Sequence, residues 1–175
     1  MTPHFGQGTD DMATSFYRTL KETTMKKQAK DLSSMMRAVS VHQPWAWAIL
    51  HAGKVFENRT WRTRHRGPLL IHASKSTSGL GHWHAEEWEG QFGCELPRRA
   101  DLAFRALVGI VDVIDCVRIE DVPRDHPGRR WAEGPWCWVL ANPRPFAEPI
   151  PYRGRQLLFE VPDEVLAGLD LAARA

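Results

Sequence analysis

Long apolar runs are missing from this sequence: none approaches the roughly 20 residues needed to cross a bilayer, which argues against a membrane protein. Cysteine is scarce. Cys94, Cys116 and Cys137 are odd in number, widely separated and without paired-ligand spacing, so neither a disulfide framework nor a zinc site is expected. The N-terminus carries Asp10 and Asp11 where a secretory leader would have an apolar core, and the expected location is reducing and cytoplasmic. No phosphate-cradling glycine loop is recognisable, since Gly79 and Gly81 alone do not make one, and Ser74, Ser76 and Ser78 lack a nucleophile elbow. His82-Trp83-His84 with Glu86 and Glu87 looks like a ligand cluster, but on a helix an i, i+2 pair points to different faces. No metal and no cofactor is expected.

What is present fits one globular domain. The 175 residues are 43% apolar and 25% charged, enough for a proper core, with an extension at one end. That extension is residues 1–35, polar and rich in Thr, Ser and Lys, with too little apolar surface to anchor a helix over Ser15 to Leu32, so mobility is expected there. The domain then covers residues 36–175. Its charge is uneven: from Arg37 to Lys75 there are seven Lys or Arg against the single acid Glu57, a local +6 within a total of +2. Such an excess attracts anions, phosphate-bearing partners above all, although a merely solvated basic face is the plain alternative.

Alternation predicts a strand over Ala38 to His42, followed by a two-turn helix with Pro44 in its first position and Gly53 ending it in the left-handed region. Val55 to Trp61 alternates again. Pro68 to Ala73 reads as a buried strand, Gly81 to Gln91 as a helix, Phe104 to Val117 as the central strand, and Glu120 to Gly134 as a surface loop. Trp136 to Leu140 and Gln156 to Glu160 read as further strands, and the prolines between them require an edge or a long bend. The fold class is α+β, mainly β: a small barrel of about six strands with two or three flanking helices.

In an extended Val55 to Trp61, the side chains of Val55, Glu57, Arg59 and Trp61 share one face. Either Glu57 and Arg59 point to water, or they enter a cleft in which Glu57 offsets Lys54 and Arg59 and orients both toward a ligand. Arg62, Arg64 and Arg66 recur at period two with Trp61, Thr63 and His65 between them. Cations interleaved with rings are what single-stranded nucleic-acid sites use, though three alternating arginines also describe a solubilising ribbon. Eight tryptophans are too many for all to be core, which leaves one or two for a cleft.

Val39-Ser40-Val41-His42-Gln43-Pro44-Trp45-Ala46, then Gly53-Lys54 with Glu57-Asn58-Arg59, then Arg66-Gly67-Pro68-Leu69-Leu70-Ile71-His72-Ala73, resembles the ASCH domain family. The segments Trp138 to Phe146 and Pro149 to Gln156 look like that family's closing strands. The resemblance implies a PUA-like fold and a cleft holding Lys54, Glu57 and Arg59, with Gln43, Trp45 and His72 as lining residues at matching positions. It also implies RNA, a nucleotide or a modified nucleoside as partner; the basic segment itself offers Trp61, Arg62, Arg64, Arg66 and Lys75 as further contacts. Whether the family's chemistry carries over is open. Some small members look like amidohydrolases for N4-acylated cytidine that use a Lys and a Thr three residues later; here Lys54 matches but Glu57 stands in the Thr position. A ribonuclease with Lys54 and Glu57 as its working pair, and a protein-interaction adaptor using the basic face, are the other readings. The closing strand has Leu157-Leu158-Phe159 where Gly-Leu-Trp is common.

Overall fold

A computed structural model describes residues 36–76 and 83–166. The extension over 1–35 with its expected mobility, and Ser78, Gly79, Gly81 and His82, lie outside the described residues.

The described chain runs β1 (Arg37–Val41), α1 (Trp45–His51), β2 (Phe56–Arg59), β3 (Gly67–Ala73), α2 (Ala85–Phe92), β4 (Ala106–Arg118), β5 (Trp136–Pro151), β6 (Leu158–Glu160) and the short α3 (Asp163–Leu166). Six strands form one sheet in the order β2-β5-β4-β3-β1-β6. The β1 and β3 strands are parallel, as an intervening helical crossover permits, and the other pairs are antiparallel. The six-stranded, mainly β fold anticipated from the sequence is thus the one the chain adopts, as a curled half-barrel whose edges are β2 and β6.

The faces of the sheet follow from alternation. Val39, Val41, Leu69, Ile71, Val111 and Val113 pack on one side with Ile49 and Leu50 of α1; Ala38, Leu70, Leu107, Ile110 and Phe159 pack on the other. α1 begins one residue later than predicted, because Pro44 takes the cap position and the Gln43 side chain accepts the Trp47 N–H at 3.0 Å. Gly53, at φ +68°, ends it, and Lys54 N–H bonds back to the Ala48 carbonyl at 3.1 Å.

Two segments depart from expectation. β5 does not stop at Leu140 but continues through four prolines to Pro151. It can do so because β2 pairs only with Trp136 to Val139, so the proline-bearing half has β4 alone as neighbour and shows an edge to solvent, where a missing N–H costs nothing. The Glu120 to Gly134 stretch is no plain surface loop either: it buries Val122 and Trp131. The Trp131 ring stacks on Phe92 of α2 at 4.2 Å, within a cluster that also holds Trp45 and Trp88. Each such aromatic pair adds about 0.5–1.5 kcal/mol beyond burial, and together they hold α2 and the loop against α1.

Candidate nucleic-acid interface

The turn after α1 directs the Lys54 side chain inward. Its Nζ donates to the Phe56 carbonyl and lies 3.4 Å from Glu57 Oε2, while the Arg59 Nη2 lies 2.9 Å from Glu57 Oε1. Lys54 and Glu57 are only 3% and 6% exposed. Burial pushes the Lys54 ammonium below its ordinary range, against the pull of Glu57 and, more weakly, of Glu133. The pair opens on a small cavity of about 130 Å³ walled by Trp45, Phe92 and Trp131 and edged by Asn58 and Glu133. Asn58 makes that wall: its amide donates to the Trp131 carbonyl at 2.9 Å and its oxygen accepts from the Glu133 and Gly134 N–H groups.

A larger cavity, about 830 Å³, lies where β1, β3 and β4 meet the chain leaving β5. Ser40, His72, Ser74, Lys75 and Arg105 line one part of it, and the run from Pro151 to Gln156 lines the rest. Four of these residues are cationic, Lys75, Arg105, Arg153 and Arg155; none is acidic. All four are exposed. His72 fixes the run from below, with its Nε2 3.0 Å from the Tyr152 carbonyl and its Nδ1 3.1 Å from Ser40 Oγ. Gly154 comes so close that a Cβ there would stand 2.3 Å from His72 Cε1 and 2.6 Å from Ser40 Oγ. Only glycine fits.

Arg59 joins the two sites. Besides Glu57 it reaches the Ser40 carbonyl, 2.7 Å from Nη2, and stands over the Trp138 ring at 5.9 Å. Of the residues singled out from the sequence, Trp45, Lys54 and Glu57 come together at the small cavity, and His72 and Lys75 at the large one. Gln43 lies in neither: it is 2% exposed and bonds to Trp47 N–H and the Ala103 carbonyl. Trp61 packs edge-on against Trp138 at 4.7 Å. Arg62, Arg64 and Arg66 are exposed outside both cavities, Arg62 over the Trp136 ring and Arg66 paired with Asp115 at 2.7 Å. Sequence reasoning passed over Ser40, Arg105, Tyr152, Arg153, Gly154 and Arg155; the one local signal was the alternating Arg-Gly-Arg.

The arrangement defines a small curled β domain with an open cationic cavity beside a self-neutralised charged one. The chain belongs to the ASCH domain family, whose profile matches residues 39–150. It is 28% identical over 137 residues to activating signal cointegrator 1 of human and of mouse, a match covering 74% of this chain and 23% of each relative. The chain therefore spans about a quarter of the length of those relatives. Among solved structures it is similar to the ASCH protein of Zymomonas mobilis and to a tyrosine-to-phenylalanine mutant of it, each at 14% identity and a TM-score of 0.44. These matches cover 75% of this chain, and 91% and 94% of those chains. Among the described residues, no helix is long and apolar enough to cross a membrane.

Proposed function

We propose that this domain binds single-stranded RNA, or a nucleotide, in the larger cavity. The observation that carries the reading is that cavity's charge: among the described residues, four cations and no acid surround a space of about 830 Å³, with Tyr152 beside them. Cations without internal partners attract phosphates, arginines fit them in forked pairs, and a phenol ring offers a base a stacking face. Lys54, Glu57 and Arg59 support the site from within, through Arg59 at Ser40.

Binding of a short oligouridylate should weaken steeply with salt. Replacing both Arg153 and Arg155 by alanine should flatten the log–log salt slope by about 1.4, the effect of two phosphate contacts on a single strand. Affinity indifferent to salt, or unaltered in the double variant, overturns the reading. The burial-lowered Lys54 in its aromatic-walled cavity favours a second one, hydrolysis with Lys54 and Glu57 as the working pair. Mass analysis after incubation with N4-acylated cytidine and with labelled RNA decides it: absence of product removes it.

A further inference from the structure

Two side-chain hydrogen bonds fasten the Tyr152–Arg155 run to the sheet and a third links their donors Ser40 and His72, and the protons of the three do not add up for a neutral histidine. The Tyr152 and Arg155 partners are backbone carbonyls, which only accept. His72 Nε2, 3.0 Å from the Tyr152 oxygen, must therefore carry a proton. Ser40 Oγ donates to the Arg155 carbonyl at 3.0 Å and also lies 3.1 Å from His72 Nδ1. A hydroxyl has one proton. If Ser40 gives it to Arg155, the bond to His72 needs a proton on Nδ1; if Ser40 gives it to Nδ1, the Arg155 carbonyl receives none. Neutral imidazole leaves two protons for three contacts, and imidazolium supplies the third.

The surroundings decide when that third proton arrives. Lys75 follows β3, Arg105 precedes β4, Arg153 and Arg155 stand on the fastened run itself, and Arg59 comes from β2 to the Ser40 carbonyl. The β6 strand contributes only the Phe159 ring, centred 6.1 Å from that of His72. Among the described residues, no carboxylate lines the cavity. Burial holds His72 below the ordinary histidine range, with the Tyr152 carbonyl pulling the other way. An anion entering among the cations offsets their field at the ring and so favours the charged imidazole.

We propose that His72 is a proton-linked positioning residue of the basic cavity: a phosphate-bearing ligand brings a proton from solvent onto Nδ1, and the completed clasp holds Arg153 and Arg155 toward that ligand. The identity of the ligand rests on the function proposed above; the proton linkage rests only on its charge. Since the ring is more basic in the bound state, affinity rises as pH falls through the histidine range and levels off on either side.

The test follows the His72 ring by NMR over about pH 5–8, with its signal assigned through His72→Gln, in the free protein, with sulfate and with a short oligouridylate. Neither probe's anionic groups titrate there. Both should raise the ring's midpoint, and oligouridylate should bind roughly three- to tenfold more tightly at the acid end, at constant ionic strength. His72→Gln should bind with no such pH dependence. Ser40→Ala keeps the ring, breaks the clasp and should lose most of the dependence, so the test stands even if the His72 variant does not fold. A midpoint that neither anion moves, or a pH dependence retained in the variants, overturns the proposal. Sulfate raising the midpoint without any oligouridylate binding keeps the clasp and removes the RNA reading; tight oligouridylate binding with an unmoved midpoint does the reverse.

Discussion

The two cavities use the same kinds of side chain to opposite ends. Around the small one, the buried charges answer one another: Lys54 has Glu57 and the Phe56 carbonyl, and Glu57 has Arg59, with the exposed Glu133 as a further acid at the edge. Around the large one, Lys75, Arg105, Arg153 and Arg155 face solvent with no acid beside them among the described residues. A buried ion pair contributes little net stability but costs much to break, whereas unanswered surface cations cost the fold little and remain available to an outside anion. The densest charged motif in the sequence and the cations of the large cavity therefore lie in different places, with Arg59 reaching from Glu57 to the Ser40 carbonyl between them.

Breaking the small site should have the largest effect. Glu57→Gln leaves Lys54 and Arg59 buried or half-buried without their shared counter-charge, and should cost about 3–5 kcal/mol in urea denaturation at unchanged m. A loss below about 1 kcal/mol would mean that the three charges are not coupled. Gly154→Ala comes next. Its Cβ would meet the His72 ring and Ser40 Oγ well inside contact distance, and displacing that clasp should cost about 1–3 kcal/mol. Unlike the Glu57 change, it should also weaken oligouridylate binding, since the same run carries Arg153 and Arg155. Equal effects of the two variants on affinity would dissolve the distinction between the cavities.

Local pattern made much of the fold legible. The alternation of β1, the proline-to-glycine span of α1 and the apolar run of β3 are properties of consecutive residues, and so is the shared face of Glu57 and Arg59, which the 2.9 Å pair confirms. What escaped depends on distant partners. Proline chemistry calls for an edge or a bend but does not say where, and β5 passes through prolines because β2 begins at Phe56, opposite Val139, and leaves an edge beyond it. Trp131 sits in a stretch composed like a loop, and its burial is decided by Phe92, far back in the chain. The large cavity is the clearest case: His72 and Tyr152 are 80 residues apart, and nothing periodic relates Ser40 to Arg155.

The smallest effect is expected at Leu157, where the wall of the large cavity turns into β6. The residue adopts φ +59° with 62% of its surface exposed, so it bears left-handed strain of about 1–2 kcal/mol while burying little. Glycine removes that strain and adds back about 0.5–1 kcal/mol of backbone entropy. Leu157→Gly should therefore gain up to about 1 kcal/mol, seen as a melting temperature higher by about 2–4 °C. Because Leu157 carries no charge, oligouridylate affinity should not change. A loss of stability would instead show that the exposed leucine is packed in solution, and a loss of affinity that this wall, and not only its cations, contacts the ligand.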